Sequence, residues 1–403
     1  MNQTIAIGFA VYLLLILVVG IVTARYNKTL PDFLLAGRRL GPWIVALSER
    51  ASGQSGWLIL GLTGLAYATG LGDPSGTKLQ PALWASIGGC SGVALSWILI
   101  AEKLRKETEQ LGALTLPRYF ELKFRGHDLA IRFVTTAIIV FCFIFYIAAQ
   151  FDGVGKSLEQ TFGFPHFTGI LLGASIMVFY TLMGGFFAVA WTDFFQGIIM
   201  LVTLVVLPLV ALAQIGGIGG LVDKVSSIDP EYLTLFGGRR GWPLLSGVLS
   251  GLGIGLGYLG QPHVLIRYMS IRSVSDVGKA KSVAIVYAIL TYSGAVLMGI
   301  VALAYFGVGH FSDPEKMMPG LATAIFPAWF AGILICGALA AMMSTADSQL
   351  LVTTSSVTED IYHQSINPRA SQSQLVFLSR MVTFVIGVSA ISLAQLPSSI
   401  FDK

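Results

Sequence analysis

A polar run, Ser48-Glu49-Arg50-Ala51-Ser52-Gly53-Gln54-Ser55-Gly56-Trp57, is set inside an apolar segment that extends from Gly41 to about Gly70. In hydrocarbon an unpaired backbone amide or carbonyl costs roughly several kcal/mol, so irregular backbone persists only where protein or a water-filled cavity surrounds it. The run is therefore expected to face inward, at a site. Ionisable residues inside a membrane mark functional positions by default, and broken helices present carbonyls and hydroxyls to ions in many transporters. A solvated loop between two short helices is the competing reading, but neither half is long enough to span a bilayer while the whole is.

Composition supports the membrane setting. Of 403 residues, 55% are hydrophobic and only 11% charged, with a mean hydropathy of +0.76, far more apolar than a soluble domain. The net charge of +4 is small and sorted by side, so it gives no support for nucleic-acid binding. Cys90, Cys142 and Cys336 lie in apolar segments and read as small core residues rather than a disulfide or metal set. The five histidines are scattered without ligand spacing. Met1 to Ala24 lacks a basic leader and a small-residue cleavage site, so it reads as a first transmembrane helix.

Apolar runs of about 20 residues predict ten spans, near 4–24, 41–70, 80–101, 128–150, 165–184, 187–212, 241–265, 280–306, 321–350 and 372–394. Assigning alternate gaps to opposite sides puts fifteen cations on one side: Arg25, Lys28, Arg38, Arg39, Lys103, Arg105, Lys106, Arg118, Lys123, Arg125, Arg267, Arg272, Lys279, Lys281 and Arg369. Seven fall on the other: Lys78, Lys156, Lys224, Arg239, Arg240, Lys316 and Lys403, with Arg50, Arg132 and Arg380 inside or at the edge of spans. The positive-inside rule then places the amino terminus outside. The second span is interrupted by the polar run and the seventh by Gly247, Gly251, Gly253, Gly255, Gly257 and Gly260 before Gln261-Pro262. Interruptions five helices apart are expected of an inverted repeat around a central site. The whole chain, 1–403, is thus read as one all-α membrane domain whose five-helix units open on the interrupted spans.

Three further stretches carry the chemistry. Gly255-x-Gly257-x-x-Gly260 matches a dinucleotide fingerprint, but no strand-turn-helix unit surrounds it. Close helix packing and local unwinding beside a solute remain as readings, with Tyr258, Gln261 and Pro262 favouring the second. Ala340-Ala341-Met342-Met343-Ser344-Thr345-Ala346-Asp347-Ser348-Gln349 places small residues before clustered hydroxyls, which suits a dehydrated sodium ion seeking hard oxygens. Membrane-helix Ser and Thr also bond the carbonyl one turn back, so the stretch gains weight from the broken second span. Asp193, inside a span, is open to three readings: a second ion site, a protonatable gate, or a structural hydrogen-bond hub.

Several strings carry a resemblance: Leu35-Ala36-Gly37-Arg38-Arg39-Leu40-Gly41-Pro42, Ser55-Gly56-Trp57-Leu58, Leu114-Thr115-Leu116-Pro117-Arg118-Tyr119-Phe120, Ala190-Trp191-Thr192-Asp193, Gly257-Tyr258-Leu259-Gly260-Gln261-Pro262-His263, Met343-Ser344-Thr345 and Thr358-Glu359-Asp360-Ile361-Tyr362. In these the chain resembles the sodium:solute symporters, and among them the sodium/proline symporters. The resemblance implies a broken-helix inverted-repeat bundle of the leucine-transporter type, with one extra amino-terminal helix at 4–24, a first five-helix repeat at 41–212 and an incomplete second at 241–394. It maps the main sodium site onto the carbonyls of Ala51, Gln54 and Ala341 and the hydroxyls of Ser344 and Thr345. Asp193, Ser348 and Arg38 become candidates for a second sodium or for coupling. Ser52, Gly53, Trp57, Tyr146, Ile254, Tyr258 and Pro262 become candidates for the solute pocket.

Proline symporters carry an aspartate at the position of Gly53 and a tryptophan at that of Ile254, so the solute is left open. Glu49, Arg50 and Asp347 are also departures, and Arg50 is expected either to pair with Asp347 or to meet a solute carboxylate. Family members continue past the segment matching Pro397 to Phe401, so the sequence is expected to be a fragment, with a naturally short protein as the alternative. The functional expectation is a sodium-coupled importer of a small amino-acid-like solute in a bacterial inner membrane. It is not an enzyme, has no cofactor beyond the coupling ion, and has sodium, a small solute and the bilayer as partners. A solute sensor on a transporter fold and a proton-coupled carrier are the alternatives.

Overall fold

The computed structural model describes residues 3–76, 78, 80–124 and 128–395; Arg125, Lys403 and the stretch 397–401, used in the sequence argument, lie outside the described residues. Sixteen α-helices follow one another: α1 Gln3–Ala24, α2 Leu30–Leu35, α3 Pro42–Gly56, α4 Thr63–Thr69, α5 Ala82–Ser96, α6 Glu102–Gln110, α7 Leu116–Lys123, α8 Asp128–Phe162, α9 His166–Gln214, α10 Gly217–Ile228, α11 Gly241–Tyr258, α12 Pro262–Ser270, α13 Val274–Phe306, α14 Met317–Ile325, α15 Ala328–Ser355 and α16 Gln372–Ala394. Among the described residues no strand forms; Leu40 and Ile271 make one isolated parallel bridge.

Seven helical stretches are long and apolar enough to cross a membrane, or eight if α11 and α12, bent by 44° at their junction, are taken as one span. The difference from the ten expected spans has two sources. Residues 165–184 and 187–212 form a single 49-residue helix, α9, with non-helical dihedrals at Gly185 (φ 51°, ψ −147°). At about 1.5 Å per residue such a helix is more than twice as long as the roughly 30 Å hydrocarbon layer. Gly185 is where it can turn, because glycine adopts the positive φ freely; a Cβ there would also lie 2.8 Å from the Phe33 carbonyl oxygen. The stretch 42–69 is the other source, because its polar residues keep it off the apolar count.

The polar run itself is more regular than expected. Helix α3 continues through Ser48 to Gln54 and breaks only at Ser55, which takes a left-handed φ of 51°. The Trp57 amide closes the break by donating to Ser55 Oγ at 3.1 Å. A π-helical turn, Trp57–Leu62, then leads into α4. The run stays helical because its polar side chains find partners on neighbouring helices, leaving the backbone free to bond to itself.

The seventh-span glycines divide between the two readings. Gly251 and Gly255 of α11 pack against Gly88 and Gly92 of α5 so closely that a Cβ on either face would strike the opposing backbone, while Gly253, Gly257 and Gly260 face open space. Close packing therefore explains the first pair. Unwinding is confined to the junction around Leu259–Gln261.

The chain's connections gather at two ends. At one, Arg38 reaches the carbonyls of Thr108, Ala113 and Met269, Arg105 reaches that of Ile271, and Thr115 bonds Asp360. At the other, Asp73 pairs with Arg239, Leu71 bonds the Tyr232 carbonyl and Tyr67 that of Gly307. Between them α15 forms the core, buried along almost its whole length from Ala331 to Ser355.

Candidate functional site

Helices α3 and α15 meet through hydroxyl-carbonyl contacts just before the break at Ser55. Ser344 donates to the Ala51 carbonyl at 3.0 Å and to that of Ala341 at 3.1 Å. Thr345 donates to the carbonyls of Ser52 and Ala341, both at 2.9 Å. Two hydroxyls and three carbonyls thus converge in a fully buried place, a neutral, hard-oxygen donor set that suits a monovalent alkali cation. Of the expected carbonyls, Ala51 and Ala341 stand here; that of Gln54 instead accepts the Trp57 amide. The Gln54 side chain points to α13, where its amide donates to Thr291 Oγ1 at 2.6 Å.

One turn along α15, Ser348 belongs to a second cluster centred on Arg267. This arginine, expected among the loop cations, is fully buried on α12. Its Nη2 donates to Ser52 Oγ at 2.7 Å, to Asp193 Oδ2 at 2.9 Å and to Ser348 Oγ, its Nε to Ser48 Oγ at 3.2 Å, and its Nη1 to the His263 carbonyl. Asp193, on α9, also accepts from Ser48 Oγ at 2.7 Å and Ser52 Oγ at 3.0 Å, while its Oδ1 has no partner. Through these bonds Asp193 joins α9 to α3 and α12, and Ser52 and Arg267 extend the cluster to Ser348 of α15. Arg105, also counted as a loop cation, is likewise buried, beneath the Ile271 and Arg272 carbonyls.

Arg50 does not pair with Asp347. It forms an ion pair with its own neighbour Glu49, both side chains having 0% exposure. Glu49 also accepts from Trp97 Nε1 at 3.0 Å and Tyr268 at 3.4 Å, and Arg50 lies over the Tyr258 ring at 5.4 Å. Asp347 instead accepts from Tyr180 at 2.5 Å and from Ser348 at 3.0 Å. Adjacent residues satisfy each other because the guanidinium can fold back along its own helix, a pairing no separation pattern advertises.

Of the candidate solute residues, Gly53 and Tyr258 come together: the tyrosine donates to the Gly53 carbonyl at 2.8 Å and shares a 2.6 Å hydrogen bond with Tyr292. Tyr146 interacts with the Ser55 side chain at the break. Trp57, Ile254 and Pro262 are partly buried beside these elements, and no hydrogen bond joins their side chains to the group. Arg38 is no simple membrane-surface anchor: four hydrogen bonds fix it to Thr108, Ala113 and Met269. Burial pulls its pKa down to about 10, with Arg105 adding to the shift, which leaves it charged at neutral pH.

The residues that sequence reasoning missed are Arg267, Tyr180, Trp97 and Tyr292. Arg267 lies two residues beyond the predicted end of its span at 265, where an arginine looks like an ordinary boundary cation. The bend at Gln261 carries the helix on to Ser270, and that signal, a Pro-initiated helix after a break, was available.

Residues 33–401 match the family model described as the Sodium:solute symporter family. The chain is similar to the high-affinity proline transporter PutP of Bacillus subtilis (strain 168), 37% identical over 381 residues that make up 94% of this chain and 78% of the relative. It is similar to the sodium/proline symporter of Escherichia coli (strain K12), 34% identical over 405 residues, 98% of this chain and 77% of the relative. Among solved structures it resembles a Na+-coupled sialic acid symporter in a substrate-bound outward-open state, with a TM-score of 0.85 at 19% identity over 97% of this chain and 81% of that one. MhsT in complex with L-phenylalanine aligns with a TM-score of 0.56 at 16% identity, covering 88% of this chain and 80% of that one.

Proposed function

Because the chain belongs to the sodium:solute symporter family, we propose that it imports proline, or an amino acid much like it, together with sodium by alternating access. The observation that carries the reading is the meeting of the Ser344 and Thr345 hydroxyls with the Ala51 and Ser52 carbonyls across α15 and α3. Sodium held by the Ala51 and Ala341 carbonyls and the two hydroxyls, with the Gln54 carbonyl one turn away, locks the broken helix to the core helix. The hydroxyl protons then turn aside so that their oxygens face the ion.

Fixing α3 orders the adjacent solute residues, Ser52, Gly53, Trp57 and Tyr146 with Ile254, Tyr258 and Pro262 opposite. Coupling of about 1–3 kcal/mol between ion and solute is the usual scale of such preorganisation. Rocking of one bundle against the other exposes the site inward, with Arg38 tying the inner loops during the movement. The membrane potential adds roughly 2.3 kcal/mol per charge for each 100 mV.

In the same reading the protein lies in a bacterial inner membrane with its amino terminus outside. It crosses ten times: α9 counts twice through its turn at Gly185, and 42–69 and 241–270 each make one broken span. An extra helix, 4–24, precedes a repeat at 41–212, and 241–394 supplies helices of the second. The similarity to proline transporters and the shared fold of a sodium-coupled symporter support this reading.

The test is thermal stability of the purified protein against sodium, proline and other amino acids. Sodium should raise the unfolding temperature and proline should raise it further only with sodium present. Both effects should vanish in Ser344→Ala/Thr345→Ala; a folded protein indifferent to sodium would refute the proposal.

A further inference from the structure

We propose that a groove between the end of α1 and the turn of α9 holds one anionic phospholipid, its phosphate on Arg25 and Arg39 and an acyl chain along the helix wall. The inference needs only the membrane setting, not the sodium-symport reading. The groove is a cavity of about 570 Å³, and none of the ion or solute candidates lines it. Its apolar wall is Val18, Val19 and Val22 of α1 against Phe187 and Trp191 of α9, and its mouth is Arg25, Tyr26 and Arg39. Val18, Val22 and Arg25 recur at helical spacing on one face, so the groove passes from hydrocarbon to cation over roughly 10 Å. An amphiphile with a charged end and a chain matches that gradient. A free anion would leave the wall bare, and a hydrocarbon alone would leave the cations unanswered.

The two cations are fixed by aromatic rings. Arg25 lies over the Tyr26 ring at 4.9 Å and Arg39 over the Phe187 ring at 5.5 Å, and these rings stack with centroids 5.2 Å apart. One stack thus carries a guanidinium on each ring at the same mouth. Arg39 also pairs with Asp32 at 2.6 Å while its side chain stays 54% exposed. Arg25 has no acidic partner among the described residues, its Nη2 donating to the Tyr26 hydroxyl at 2.9 Å. Two guanidiniums and one ion-paired surface carboxylate leave a positive charge that one phosphodiester answers, and guanidinium forks suit phosphate oxygens. Tyr26 and Trp191 are the residue types that settle at headgroup level, and basic pockets between membrane helices take anionic headgroups. Arg39 follows Arg38, whose hydrogen bonds gather the connections at this end, so a bound lipid steadies the same connection from the membrane side.

The test is native mass spectrometry of the purified protein titrated with phosphatidylglycerol or phosphatidylcholine. Wild type should retain one phosphatidylglycerol per chain in clear preference to phosphatidylcholine. Arg25→Gln/Arg39→Gln should abolish the preference, each arginine contributing about fivefold. Should loss of the Asp32 pair unfold that variant, Arg25→Gln alone removes a guanidinium without an ion pair and should lower the preference by its own share. Val22→Trp, which fills the groove below the arginines, should weaken retention of both lipids. Lys103→Gln/Lys106→Gln removes two exposed cations at the same end but outside the groove, and should change nothing. Equal retention of the two lipids by wild type, or an undiminished preference in the arginine variants, would overturn the inference. So would an equal loss in the lysine variant, which would make the attraction a property of the whole basic end.

Discussion

Glu49 and Arg50 show how a single pair of residues decides whether the polar run can live inside a bundle. Both are fully buried, and the guanidinium keeps Nη1 without a partner. Removing one member of a buried pair strands the other, at a cost of about 3–5 kcal/mol, whereas replacing both by apolar residues of similar volume is often nearly neutral. Arg50→Met should therefore lower the thermal unfolding temperature sharply in detergent or nanodiscs, and Glu49→Leu/Arg50→Met should recover most of the loss. Equal losses in the single and double variants would mean that the pair is not the stabilising unit. At this scale the legible residues were those with a chemical pattern. Ser344 and Thr345 stand out because hydroxyls follow a run of small residues, and although both bond the Ala341 carbonyl one turn back, each also reaches a carbonyl of α3. Arg267 did not stand out because a cation near a span end serves a membrane boundary and a buried hub equally well, and only the bend at Gln261 separates the two.

Helices α5 and α11 put a similar distinction at the scale of elements. The glycines of α11 look alike in sequence, but Gly255 presses on the Gly88 backbone while Gly253 faces open space. Overpacking at a close helix crossing costs about 1–3 kcal/mol, and glycine inside a helix gives up about 1 kcal/mol relative to alanine. Gly255→Ala should thus destabilise the protein and Gly253→Ala should leave it unchanged or slightly firmer, as read by thermal unfolding of the two variants side by side. A second element-scale outcome concerns the break in α3. Ser55 holds a left-handed φ that a β-branched side chain cannot share without strain of about 1–3 kcal/mol. Ser55→Gly should keep sodium-dependent stabilisation and Ser55→Val should lose most of it. Sequence located the break within a ten-residue window, because apolar periodicity fails there. It could not select Ser55, because the pairing that keeps Ser48 to Gln54 helical comes from α9, α12, α13 and α15, and from Trp97 just past the end of α5.

Across the whole molecule, the contacts sort the connections onto two faces in the way charge had sorted them. Residues near 38, 105, 115 and 271 meet at one end, and those near 71, 73, 232 and 239 at the other. Arg105 and Arg267, both buried, leave the boundary count, and among the described residues the first end still keeps the larger share of exposed cations, the asymmetry on which the positive-inside rule works. The proposed repeat is less legible than the grouping of connections, because repeats of opposite orientation can keep similar backbones while their side chains answer to different neighbours. The orientation itself gives a direct experiment. With Cys90, Cys142 and Cys336 replaced by alanine, Lys106→Cys and Lys224→Cys place single thiols at exposed positions of opposite ends. A membrane-impermeant maleimide should label the Lys224→Cys protein in intact cells and the Lys106→Cys protein only after permeabilisation. The reverse pattern would invert the bundle, and a sodium gradient directed inward would then meet the site from the end closed by Arg38 and its carbonyl partners.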